Sequence, residues 1–316
     1  MNNKPVYPCD MHCHTTRSDG NDSPYELISN AVAQGLYAIG ICDHDMTPPL
    51  TVTLPDGSER DTLEYGESVN LRIVLGYEFS CDTHVDDVHI CGYRLDWSAP
   101  QVIEEVEAAK RSKSQAYENL CHLLTEHGMP LDWESDILRY LGIDGTEATR
   151  QPDEVQRKHV FEAIARRGYT DSWSDAKILV RDNPQLNVPR RKIDSLDAIA
   201  LIHQAGGLAV LAHPHLIDET THPNGQPTLV PRDAYIDRLI EAGLDGIEGA
   251  YSYDKTTYKG SSSPEEVEAE IRMKFGDRVR IISGGSDYHA DAKKASKKVR
   301  SLGERGISIE DFKKFL

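Results

Sequence analysis

Three stretches of the chain repeat one pattern of apolar and polar positions: AVAQGLYAIGICDHD, LIHQAGGLAVLAHPH and LIEAGLDGIEGAYS. Each reads as the end of an amphipathic helix, a glycine stop and a short apolar strand, the rhythm of α/β units with parallel strands. The first helix has a marked start, because Ser23 can cap it, Pro24 suits its first position and Glu26 completes a capping box; Gly35 marks its exit. A second begins at Ser263, Pro264 and Glu266, carries Val267, Ile271 and Phe275 on one face, and leads into the strand VRIIS and the polar cluster SDYH. Between about Pro100 and Pro189 the pattern changes to long charged helical segments, such as QVIEEVEAAKRSKSQAYENLCHLLTEHG and DEVQRKHVFEAIARRG. Residues 1–99 and 190–316 are therefore expected to form one α/β unit, interrupted by a helical insertion at 100–189.

The informative polar residues interrupt or end the apolar runs. His12 and His14 in DMHCHTTRSDG stand two apart, which in a strand puts both rings on one face. Asp19 follows in the next loop. YAIGICDHD ends with His44, RIVLGYEFS with Glu78, DVHICGY carries His89, LAVLAHP ends with His213, and RIISGGSDYH ends with Asp287 and His289. Any one of these has a plain structural explanation, as a strand-end histidine or a turn aspartate. Together, six imidazoles and three carboxylates sit where strands hand over to loops, the end of a parallel barrel where active sites are built. Repeated burial of such groups is unfavourable unless they share a partner, and a metal cluster is the partner their chemistry suits.

Charge narrows the choice. The 316 residues carry 52 acidic and 35 basic side chains, a formal charge of −17, which works against tracking an extended nucleic-acid duplex. No run approaches the roughly 18 apolar residues of a membrane span, and the N-terminal MNNKPVYPCD has no secretory pattern. The expectation is a cytoplasmic protein with a small partner and no membrane association. The six cysteines, Cys9, Cys13, Cys42, Cys81, Cys91 and Cys121, show no paired C-x-x-C spacing and are expected to be reduced and packed.

The segments MHCHTTRSDG, ICDHD, GYEFS, VHICGY, LAHP and GSDYH resemble, in order, the successive metal-binding motifs of the PHP (polymerase and histidinol phosphatase) phosphoesterases of the amidohydrolase superfamily. The resemblance covers most of residues 8–99 and 188–290 and touches the insertion at QRKHVFEAIARRGY and VPRRKI. It implies a distorted (β/α)7 TIM-like barrel with an inserted helical cap that contributes to substrate binding. It also implies two or three divalent ions, Zn, Mn or Fe. One would be held by His12, His14, Glu78 and Asp287; a second would share Glu78 and add His89 and His213; a third would take Asp19, His44 and His289.

Three divalent ions on six neutral imidazoles and three carboxylates would leave a charge of about +3, or about +2 with a bridging hydroxide. That favours a dianionic phosphate over a neutral amide. The expected activity is hydrolysis of a small phosphate ester, such as a nucleoside bisphosphate, a sugar phosphate or a cyclic phosphate, by a metal-bridging hydroxide. The alternative is a 5'-3' exonuclease or oligoribonuclease using the same centre; it calls for stacking aromatics and a basic groove, and only three tryptophans and five phenylalanines are present. Glu78, Asp287 and His159 are the catalytic candidates. Arg157, Lys158 and His159 in QRKH, with His215 and Arg190, are the substrate-binding candidates, since guanidinium offers phosphate a bidentate fork and His159 could protonate a leaving oxygen. The proline-rich stretch after DHD, with a turn expected at Pro55, Asp56 and Gly57, departs from the family pattern and marks a pocket of its own shape.

Overall fold

The computed structural model describes residues 7–81, 88–141, 147–217, 220–221, 228–229, 231–294 and 298–316. The chain divides into two compact units, one of residues 1–104 and 192–316 and the other of residues 105–191.

The first unit is built on a seven-stranded sheet whose strands follow chain order: β1 (Cys9–Cys13), β2 (Ala38–Ile41), β3 (Arg72–Ser80), β4 (His89–Tyr93), β5 (Leu208–Leu211), β6 (Gly246–Ala250) and β7 (Ile281–Gly284). β1, β2 and β3 pair in parallel, as do β5, β6 and β7. The sheet curls almost closed: Cys13 bridges Tyr288 in parallel register, His14 N–H donates to the Tyr288 carbonyl at 2.9 Å, and Tyr288 N–H returns to the His12 carbonyl at 3.1 Å. This is the distorted TIM-like barrel that the motifs implied. One strand departs from it. β4 runs antiparallel to both neighbours, so His89 stands at its start, and the reversal puts that start at the same mouth as the C-terminal ends of the others.

The apolar pattern explains the packing. β1, β2, β5, β6 and β7 are buried along their whole length, as expected of strands covered on both faces. Inside lie Cys9, Met11, Val74, Cys91, Tyr93, Val210 and Ile281, with Phe312 and Phe315 from the C-terminal segment. Outside, α1 (Pro24–Gln34) buries Leu27, Ile28 and Ala31, each large aliphatic contributing about 1.5–3 kcal/mol. Ser23 and Glu26 close the expected capping box, and Gly35 ends the helix in the left-handed region. The stretch after His44 makes a short antiparallel hairpin, Thr51–Thr53 with Glu59–Asp61, turned at Pro55–Gly57, and then α2 (Thr62–Ser68). α3 (Pro100–Glu126) leads to the second unit, which includes α4 (Arg157–Arg166) and α5 (Trp173–Asp182); α6 (Ser195–Gln204), α7 (Arg232–Glu241) and α8 (Pro264–Phe275) belong to the first. α8 begins with the expected Ser263–Glu266 box and buries Val267, Ile271 and Phe275.

The second unit has its own core, with Leu120, Leu124, Ile137, Phe161, Ile164, Val180 and Leu186 buried together. It is not wholly helical. A π-helical turn, Trp133–Leu138, runs into a hairpin of Arg139–Leu141 and Glu147–Thr149. The buried Asp136 carboxylate anchors that turn, held by Arg167 at 2.7 and 2.8 Å. All six cysteines are free and buried.

Candidate metal centre

At the barrel mouth Glu78, 1 % exposed, meets five imidazoles. Its Oε2 lies 3.2 Å from His12 Nε2, 3.3 Å from His14 Nε2 and 3.0 Å from His44 Nδ1. Its Oε1 lies 2.8 Å from His89 Nδ1 and 3.0 Å from His213 Nε2. Asp287 Oδ1 stands 3.0 Å from His14 Nε2 and 3.8 Å from His12 Nε2. Asp19 Oδ1 is 3.0 Å from His289 Nε2 and 3.9 Å from His14 Nδ1. All nine strand-end residues picked out from the sequence are thus brought together. Most of them fall into three sets whose donor atoms lie within 4.8 Å of one another: His12, His14 and Asp287; His44, Glu78 and His89; His14, Asp19, His44 and His289.

The donor directions matter as much as the distances. His12 Nε2, His14 Nε2, His44 Nδ1, Glu78 Oε2 and His213 Nδ1 are buried and have no hydrogen-bond partner among the described residues. Several crowd each other at hydrogen-bond distance without hydrogen-bond geometry, so their lone pairs converge on shared space. Leaving five such atoms buried and unsatisfied would cost about 1–3 kcal/mol apiece, and imidazole with carboxylate is a donor set suited to Zn, Mn or Fe. The residues therefore fit the divalent cations that their order in the sequence implied.

The electrostatics agree. Burial favours neutral groups here, yet the imidazoles His44 and His12 hold the Glu78 carboxyl well below its usual range. Arg300 and His289 do the same for Asp287 against its burial. Burial also opposes protonation of His12 and His44, but Glu78 with Glu248 raises His12 well above an ordinary imidazole, and Glu78 with Asp19 raises His44 to about 10. His14 falls to about 4, through burial and then the neighbouring His289. The pocket demands positive charge, because its acids stay ionised and raise three of its rings, His12, His44 and His289.

Several residues that position this cluster were not picked out from the sequence. Glu248, within the apolar strand β6, contacts His12 and His213. Asp43, beside His44, accepts Thr15 N–H at 2.8 Å, Thr15 Oγ1 at 2.7 Å and Ser18 Oγ at 2.6 Å, bracing the loop between His14 and Asp19. Arg300 and Tyr251 both donate to Asp287 Oδ2, at 2.6 and 2.7 Å, which leaves Oδ1 for the cluster. His213 and Asp287 adopt left-handed backbones, with φ of 30° and 54°, strain of the sort that collects at functional sites. Gly285 passes so close to β1 that a β-carbon there would overlap that of His12.

The remaining candidates are placed as follows. His215 is buried, ringed by Tyr253 and Tyr258 with centroids 5.7 and 6.3 Å away, and burial followed by Arg232 lowers its pKa to about 4. Arg157, Lys158, His159 and Arg190 lie in the second unit. Arg157 begins α4 and is exposed. His159 Nδ1 accepts Gln156 N–H at 3.0 Å, which in the neutral ring leaves the proton on Nε2. Arg191, next to Arg190, is occupied by a two-point ion pair with Glu105 at 2.7 and 2.6 Å.

Comparison with known proteins agrees with this architecture. The chain is 29% identical to a 5'-3' exoribonuclease of Haemophilus influenzae over 206 residues, 65% of this chain and 68% of that one. It is 27% identical to the phosphoribosyl 1,2-cyclic phosphate 1,2-diphosphodiesterase of Eggerthella lenta over 285 residues, 89% of this chain and 93% of that one. In three dimensions it matches a Bifidobacterium adolescentis chain described as a metal-dependent phosphoesterase, with a TM-score of 0.71, 23% identity, and coverage of 99% and 97%. The sequence profile of the PHP domain matches residues 10–171, just over half of the chain. With that match, and with the barrel and its mouth arranged as described, the chain belongs to the PHP domain family.

Proposed function

We propose that the chain is a metal-dependent phosphoesterase that hydrolyses a small phosphate ester at the mouth of the barrel. The convergence of buried, unpartnered ligand atoms around Glu78 carries this reading. His12, His14, Glu78 and Asp287, then Glu78 with His89 and His213, then Asp19, His44 and His289, would hold two or three divalent ions. Bound there, such ions supply Lewis-acid charge for phosphate oxygens and acidify water toward neutral pH.

The protein's own groups divide the remaining work. Glu78 and Asp287 are held ionised, so they carry charge and not a transferable proton. The proton for a departing oxygen falls to a group that keeps one, and His159, with its Nε2–H tautomer fixed by the Gln156 amide, is our candidate. Arg157, Lys158, Arg190 and His215 are proposed to contact substrate on their chemistry, the arginines through a guanidinium fork. The small-substrate reading is supported by the Eggerthella lenta diphosphodiesterase, which aligns along 89% of the chain, and by the charge of −17. Trimming of short RNA 5' ends is the second reading, favoured by the exoribonuclease similarity. A cytoplasmic setting suits either; among the described residues no helix is long and apolar enough to cross a membrane.

The test is a panel of nucleoside bisphosphates, sugar phosphates, cyclic phosphates and 5'-phosphorylated oligoribonucleotides, with the protein loaded in turn with zinc, manganese or iron. Phosphate release or ring opening on the small esters supports the first reading and faster turnover of the oligonucleotides the second; no hydrolysis in any arm refutes both. Loading should also release protons. His44 is raised to about 10 by Glu78 and Asp19, and Glu78 with Glu248 raises His12 in the same direction, so protons held on these rings must be lost for them to coordinate. Calorimetric titration at pH 7 in buffers of different ionisation enthalpy should therefore show net proton release on loading, with affinity rising as pH rises.

A further inference from the structure

We propose that Glu248 is a positioning residue that sets the tautomer of His12 and the backbone of His213, aiming ligands from two separate strands into the same cation cluster. The proposal rests on the reading of the cluster as a cation centre. Glu248 is 3 % exposed, on β6. One carboxylate oxygen lies 3.2 Å from His12 Nδ1; the other accepts the backbone N–H of His213 at 2.8 Å. A carboxylate oxygen is an acceptor, so once a cation binds His12 keeps its remaining proton on Nδ1, and Nε2 is left turned toward Glu78 and Asp287, 3.2 and 3.8 Å away. The bond to His213 N–H holds a residue whose φ of 30° a side chain otherwise disfavours. The pairing of β6 with β7 slips between Glu248 and Ala250, the kind of irregularity that re-aims a side chain beside an active site.

This role differs from simple core filling in a way that mutation can read. In Glu248→Gln the amide oxygen must face His213 N–H, because that donor cannot reverse. The amide NH₂ then faces His12 Nδ1 and favours the Nε2–H tautomer, whose lone pair points away from the cluster. Glu248→Ala removes the preference without reversing it. If Glu248 merely filled space, the isosteric glutamine would be the milder change; if it sets the tautomer, alanine is.

The experiment measures zinc affinity for wild type, E248A and E248Q, with circular dichroism of each zinc-free protein to confirm folding. The expected order is wild type, then E248A, then E248Q, with E248Q about ten- to a hundredfold weaker than wild type, the usual effect of disturbing a ligand's hydrogen-bond partner. Equal affinity in E248Q and wild type, or weaker binding by E248A than by E248Q, overturns the proposal. Nitrogen-15 NMR of zinc-loaded wild type decides the matter even if a variant does not fold: the proton of His12 must be on Nδ1, and finding it on Nε2 overturns the proposal. Failure of wild type to take up zinc, manganese or iron would instead overturn the cation centre itself.

Discussion

Glu78→Gln is expected to lower phosphate ester turnover by at least about 10³-fold, together with a loss of bound cation. The expectation follows from how many groups depend on one carboxylate. Five imidazoles lie within 3.3 Å of its two oxygens, and no other acid in the cluster touches more than three. Glutamine keeps the shape but removes the charge and turns one oxygen into a donor, which faces ring nitrogens whose lone pairs are meant for cations. Metal-supplied stabilisation of a phosphoryl transition state is worth several kcal/mol, and a thousandfold loss corresponds to about 4 kcal/mol. Elemental analysis beside initial rates on the best substrate provides the check. A variant that kept both its metal and its rate would show that Glu78 is a buried structural acid, and the assignment of the centre would fall with it.

The nine ligand candidates were legible because a charged or imidazole group at the end of an apolar run breaks a strong local pattern. Glu248 breaks it too, in LDGIEGAYS, but it lies inside the strand and not at its end, so its signal was read as part of the α/β rhythm. Arg300 was hidden for another reason: its partner Asp287 is thirteen positions away, and no periodicity links them. The reversed β4 could have been found. Only residues 81–88 separate β3 from β4, fewer than the dozen or so that a crossover to a parallel strand needs. Alternation reports which face a residue takes and is blind to strand direction, so the apolar pattern alone points to parallel strands throughout. In the inserted unit the three-residue strands at Arg139–Leu141 and Glu147–Thr149 are too short to alternate visibly, and charged flanks gave them a helical appearance.

Removal of the cations should lower the melting temperature by about 8–16 °C for each ion bound at a thousand times its dissociation constant. A ligand that binds only the folded state adds RT ln(1 + [L]/Kd), about 4.1 kcal/mol at that ratio. Domains of 150–250 residues shift by about 2–4 °C per kcal/mol, and the barrel unit is of that size. The binding is restricted to the folded state because the ligands come from segments as distant as His12 and His289, which only the closed barrel brings within reach. Thermal melts of loaded and chelated protein, with zinc or manganese added back, measure the shift. Glu78→Gln supplies the control, because its melting temperature should respond much less to chelator. A wild-type curve that chelator leaves unmoved, or one that moves equally in Glu78→Gln, would mean that whatever ions bind are held somewhere other than around Glu78.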